Sequence, residues 1–143
     1  SVCIDDANNL WILSSGFESE NQKPALVYFN TSSKNITKHF EFDSYVNIPQ
    51  NIVYNQLEQA IYYNKSNFIY KMSAQASVLP ATHHFESATQ NIYGMHINPT
   101  NTELYISDAK NYFDFGKIYR YSTNGFLIDD FEVGYIPSKI YFF

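Results

Sequence analysis

Short runs of apolar residues alternate with turn residues along the chain, and the pattern is clearest from Tyr93 to Phe143. YGMHI (93–97) meets the turn Asn98-Pro99-Thr100-Asn101, and ELYISD (103–108) meets a longer loop from Ala109 to Phe115. GKIYRY (116–121) ends at Ser122-Thr123-Asn124-Gly125, an Asn-Gly hairpin signal, and FLIDDFEV (126–133) ends at Gly134. Tyr, Phe, Ile and Val dominate these runs, and such side chains suit a pleated, half-buried surface. The spacing predicts four antiparallel strands, followed after Pro137 by a fifth run, KIYFF (139–143).

The same unit recurs upstream. Pro49-Gln50-Asn51-Ile52-Val53-Tyr54 matches Pro137-Ser138-Lys139-Ile140-Tyr141-Phe142 in pattern, and Tyr93 lies midway between the two prolines. The second strands Ala60-Ile61-Tyr62-Tyr63 and Leu104-Tyr105-Ile106-Ser107 keep the same spacing of 44 residues, and Leu10-Trp11-Ile12-Leu13 is a third member. A period of this length belongs to four-stranded propeller blades. The reading is therefore all-β, a single partial β-propeller domain over 1–143 with blades near 1–42, 51–82 and 93–132 and a closing strand at 139–143. In the second blade, Val78-Leu79 is expected to start a weak fourth strand, broken by Pro80 as befits an outer edge. Only Ser73 to Leu79 offers a short helix as an alternative. Three blades do not close a ring, which takes about four to eight. The terminal KIYFF run is expected to pair with material outside these blades, either a missing propeller half or a second copy.

Composition narrows the function classes. The chain has 143 residues, 45% hydrophobic and 18% aromatic, which supports one globular core. A net charge of −5, one Arg and no basic run argue against nucleic acid. No apolar run approaches the length of a membrane-spanning helix. Cys3 is alone, so no internal disulfide forms.

The quoted motifs resemble a known family. Tyr105-Ile106-Ser107-Asp108-Ala109-Lys110, Gly116-Lys117-Ile118-Tyr119, Asn124-Gly125 and Val133-Gly134-Tyr135-Ile136-Pro137-Ser138-Lys139 are similar to the surface β-propellers of Bacteroidetes. These are related to YVTN-type surface-layer repeats and to corrinoid-binding outer-surface lipoproteins. The likeness is strongest over 92–143 and covers under half of a seven-bladed member. It implies a seven-bladed ring at the cell surface or in the periplasm, anchored to the outer membrane, with a small-molecule ligand such as a corrinoid or an outer-membrane transporter as partner. These motifs build blades, and they specify fold far better than ligand.

The resemblance also sorts the loops. Connections from second to third strand, and from fourth strand to the next blade, share the face on which ligands usually bind. That face would carry Phe17, Glu18, Tyr45, His83, His84, Tyr112, Phe113, Asp114, Phe115 and Tyr135. The loop Asp108 to Phe115 stands out, with three aromatics and a carboxylate suited to stacking a flat or sugar-like ligand. The alternative is that Tyr112 and Phe115 fold back onto neighbouring blades. Candidate ligand-binding residues are therefore Tyr112, Phe113, Asp114, Phe115, Phe17, Tyr45 and Tyr135.

No catalytic set, cofactor or metal site is expected. His83 and His84 are adjacent on an extended chain and point to opposite faces, so they cannot easily share one ion. His39 and His96 alternate with apolar neighbours as strand residues do. Asp5-Asp6 and Asp129-Asp130 are neighbours in sequence and do not make the carboxylate pair across a cleft that a glycosidase needs. There is no Gly-rich phosphate loop and no nucleophile elbow. The chain reads as non-catalytic: a ligand-binding propeller first, a protein-interaction scaffold second.

Overall fold

The computed structural model describes residues 1–143. Its strands form three four-stranded antiparallel sheets, each wound in sequence order. The first sheet holds β1 (Val2–Ile4), β2 (Leu10–Ser14), β3 (Ala25–Asn30) and β4 (Asn35–Glu41). The second holds β5 (Pro49–Asn55), β6 (Ala60–Lys65), β7 (Phe68–Ser73) and β8 (Phe85–Glu86). The third holds β9 (Ile92–Ile97), β10 (Leu104–Asp108), β11 (Lys117–Tyr121) and β12 (Leu127–Glu132). These are propeller blades, and the only helical element is one 3-10 turn at Glu18–Glu20. The second strands begin at Leu10, Ala60 and Leu104, the residues that the repeat aligns.

The sheets pack face to face through two apolar seams. Trp11, Leu13, Leu26, Phe40 and Phe42 of the first blade meet Ile52, Ile61, Tyr63 and Met72 of the second. On the other side, Ala60, Tyr62, Ile69 and Phe85 meet Ile92, Met95, Leu104, Ile106 and Tyr121 of the third blade. Alternation along β6 sends Ile61 and Tyr63 into one seam and Ala60 and Tyr62 into the other, so this strand is buried on both faces. That explains why AIYY reads as a continuous apolar run. A side-chain clamp reinforces the first seam: the Lys38 ammonium donates to the carbonyls of Ala74 (2.7 Å) and Ala76 (3.3 Å).

One expectation needs correction. The fourth strand of the second blade is not at Val78-Leu79. It lies at Phe85–Glu86, opposite Ile69 and Phe68, so the sheet reaches Glu86 and not 82. Pro80 has no N–H to donate, Val78 is exposed, and the first aromatic ring that can fill the outer seam is Phe85, which packs on Tyr121 at 4.9 Å. Lys139–Phe143, expected to pair outside the three blades, joins no ladder with another strand of the chain.

That terminal segment nevertheless has a defined seat. The Ser138 carbonyl faces Gly94 so closely that a Cβ there would stand 2.6 Å from it, and at Gly116 a side chain would meet the Pro137 ring. Phe142 packs edge-on against Tyr105, with ring centroids 5.1 Å apart. Pro137–Phe142 thus lies beside β9 and over the face of the third blade that points away from the second. The first strands β1, β5 and β9, together with Ser138 to Phe142, line an open cleft of about 480 Å3.

Candidate functional site

Two buried polar side chains organise the loop face, where second strands turn into third strands and one blade hands over to the next. Asn64 is the next-to-last residue of β6 in the second blade and is fully buried. Its Oδ1 accepts from the Asn51 backbone N–H (3.0 Å) and side-chain amide (3.0 Å), and its Nδ2 donates to the Ser66 carbonyl (2.9 Å). Asp108 ends β10, 44 residues later, and is also fully buried. It accepts backbone N–H bonds from Gln90 (2.9 Å), Asn91 (2.9 Å) and Lys110 (2.8 Å). Each residue ties the chain entering its blade to the loop leaving the second strand. Charge-assisted bonds to backbone N–H groups are the stronger kind, so the Asp108 cluster is the tighter of the two.

The aromatic loop grows out of the Asp108 cluster. Asn111 Oδ1 accepts from the N–H groups of Phe113 (3.0 Å) and Asp114 (2.9 Å), while its Nδ2 donates to the Asp114 carboxylate (2.8 Å). Tyr112 adopts a left-handed backbone conformation at φ 70°. That conformation costs a bulky residue energy and persists because the surrounding bonds fix it. Tyr112 leans edge-on against Tyr93 at 6.0 Å, and Phe115 packs against Tyr135 at 4.7 Å. Both rings fold back and still remain nearly half exposed, whereas Phe113 stands free at 85% exposure.

The other expected site residues lie apart from this group. Phe17 is exposed in its own small hairpin, exchanging backbone bonds with Gln22. Tyr45 is half-buried in the connection from first to second blade, with a hydroxyl that finds no partner. Tyr112, Phe113, Asp114, Phe115 and Tyr135 are therefore brought together, and Phe17 and Tyr45 are not joined to them by any ring contact.

The remaining titratable groups have structural partners. His83 tilts onto Phe68 at 4.8 Å, while a ring nitrogen of His84 bonds the Thr123 carbonyl at 2.8 Å, so the pair diverges. No three His, Cys, Asp or Glu side chains gather where they could hold a metal ion. Burial, with Asp5 nearby, pushes the Cys3 thiol up to about 12, so it stays protonated. On the opposite face, turn carboxylates grip third-strand side chains: Asp5 accepts from Tyr28 (2.7 Å), and Glu58 and Glu103 pair with Lys71 and Arg120 at 3.0 Å. Arg120 also reaches Asp129 at 2.8 Å. Burial and the bond to Glu58 raise the Tyr62 hydroxyl far above its ordinary value.

Sequence reading missed Asn64, Asp108 and the amide residues that they hold. The signal was present, because the offset that aligns Ala60 with Leu104 also aligns Asn64 with Asp108. A polar residue repeating at the end of an apolar strand marks a structural pin.

No family model matches the chain, and no curated protein matches it. Among solved structures, it is similar to a quinoprotein alcohol dehydrogenase-like protein from Bacteroides thetaiotaomicron VPI-5482. The TM-score is 0.72 at 17% identity, over 96% of this chain and 34% of the other. The chain thus spans about a third of that protein's length, and the likeness is one of fold.

Proposed function

We propose that the chain is part of a non-catalytic, ligand-binding β-propeller of the bacterial cell surface or periplasm, held at the outer membrane in the intact protein. The observation that carries this reading is Phe113: a free aromatic ring on a loop fixed by Asn111 and Asp108. Folding gains little from such a ring, and a stiff loop loses little entropy when a ligand stacks on it. Phe115, Tyr135, Tyr112 and Tyr93 widen the platform, and Asp114 supplies a carboxylate at its edge. A flat, cofactor-like molecule suits this surface, and the resemblance to corrinoid-binding lipoproteins makes a corrinoid the first candidate.

The non-catalytic part rests on how two of the acid–base candidates on this face are engaged. Asp114 is tied to Asn111, and a His84 ring nitrogen is bonded to the Thr123 carbonyl. Calorimetric titration with cyanocobalamin tests the proposal. Binding that falls at least tenfold in Phe113→Ala with Tyr112→Ala supports it. No binding, or equal binding by the variant, overturns the corrinoid platform.

A second reading, a scaffold that docks an outer-membrane transporter, draws on the outer strand β12. Its edge exposes Leu127, Ile128 and Phe131, with Phe126 at its start. Co-purification with a transporter, lost on changing these residues to Ser, supports that reading.

A further inference from the structure

Between the second and third blades, on the loop face, lies a cleft of about 450 Å3 lined by Gln50, Ser66, Asn67, Thr89, Gln90 and Asn91, with Ile92 as its one apolar wall. None of these side chains is charged. We propose that this cleft binds a neutral, hydroxyl-rich ligand: a saccharide, either free or at the end of a glycan. It shares the loop face with the platform proposed above but uses different side chains.

The cleft holds unused hydrogen-bonding capacity. Several of the polar backbone groups that shape the rim are already engaged. Gln90 and Asn91 donate their N–H groups to Asp108, and the Asn91 carbonyl accepts from Ala109 at 3.1 Å. The Asn67 carbonyl accepts from Ser87 at 2.8 Å, and the Ser66 carbonyl from Asn64. The side-chain amides of Gln50, Gln90 and Asn91, by contrast, bond to no other group of the protein. Asn67 uses only its Nδ2, toward Glu86 at 2.9 Å, which leaves its carbonyl oxygen unpaired. A carboxamide presents a donor and an acceptor side by side, and adjacent sugar hydroxyls present the same pair.

Chemistry then excludes the other ligand classes. No charged side chain lines the cleft, so an anion or a cation entering it would shed water without meeting an opposite charge on its walls. A lipid or flat aromatic would find only Ile92 to cover it. A neutral polyol exchanges water bonds for amide bonds at little desolvation cost, and the volume lies within the range of small-molecule sites. Rigidity completes the case. Asn64 fixes the side of the cleft formed by the second blade and Asp108 fixes the side formed by the third, so the free amides sit on immobile backbone. That arrangement lowers the ordering cost of binding.

The test is an NMR titration of the protein with maltose and with cellobiose, reading side-chain and backbone amide shifts, with galacturonate as a charged comparison. Saturable shifts at Gln50, Gln90 and Asn91 with a neutral sugar, and a dissociation constant at least tenfold weaker in Gln90→Ala with Asn91→Ala, support the proposal. These substitutions keep both backbone N–H bonds to Asp108. The proposal is overturned if no neutral sugar binds, if the amide variant binds as tightly as the parent, or if galacturonate binds equally well. The aromatic variant Tyr112→Ala with Phe113→Ala separates the two sites, because it should bind sugar unchanged even where corrinoid binding is lost. Retention of an immobilised starch or cellulose column, alongside the free disaccharides, tells a glycan end from a free sugar.

Discussion

The second and third blades are built from the same repeat, yet their central strands live in different surroundings. In β6, every residue from Ala60 to Asn64 is buried, because the strand has a blade on each side. In β10, Leu104, Ile106, Ser107 and Asp108 are buried, and Tyr105 alone is half-buried, beside the Phe142 ring and Arg120. The strands differ less in sequence than in neighbours. Burial of a propeller blade is decided by what stands next to it, and the outer face of the third blade has the terminal segment beside it in place of another blade.

This contrast sets the scale of the expected effects. The largest should come from Ile61→Ala, which opens a cavity in the first seam. It should destabilise the protein by about 4 kcal/mol in chemical denaturation. A loss under 1 kcal/mol would mean that the seam is not the stabilising core. Next comes Asp108→Ala, which leaves three part-buried N–H groups without their acceptor and should cost about 2 kcal/mol. Asn64→Ala should cost less, since its partners are held by neutral bonds. Tyr105→Ala, on the less covered face, should cost about 1 kcal/mol, because truncation there removes a half-buried ring. A cost equal to that of Ile61→Ala would erase the difference between the two blades.

A smaller effect should appear with pH. Burial lowers the His96 pKa below its ordinary value of 6.5, outweighing the bond to the Ser138 carbonyl. The unfolded chain then binds a proton that the folded one refuses. Stability from this residue should be full above about pH 7, fall as pH drops through 6.5, and stop falling below the folded pKa. His96→Gln should flatten that portion of the stability profile. Removing residues 138–143 should do the same if the terminal segment is what covers the ring. The smallest effect belongs to Phe113→Ala, where a change within about 0.5 kcal/mol is expected from the melting curve. A larger loss would show that the ring is part of the core and not a binding surface.

Much of the fold could be read from the chain. Turn chemistry and aromatic runs gave the strands, and the spacing of 44 residues gave the blades, because each repeat must place the same side chains in the same seams. The fourth strand of the second blade escaped. Val78-Leu79 looks apolar locally, but the seam is filled by Phe85, whose role depends on Tyr121 and Gly125 in another blade. The site was half legible. Clustered aromatics at 112–115 stand out in any loop, whereas Gln50, Gln90 and Asn91 look like ordinary turn residues. They acquire meaning only when Asn64 and Asp108 bring three separate segments to one cleft.

Asp108 pins the segment entering the third blade to the loop that leaves β10. Native-state hydrogen exchange at the backbone amides of Gln90, Asn91 and Lys110 tests this most directly. The account predicts that these three amides exchange slowly, with protection close to that of the β10 core, and that Asp108→Asn accelerates them together while amides in β6 keep their rates. Exchange at the pace of an open loop in the parent protein would contradict it.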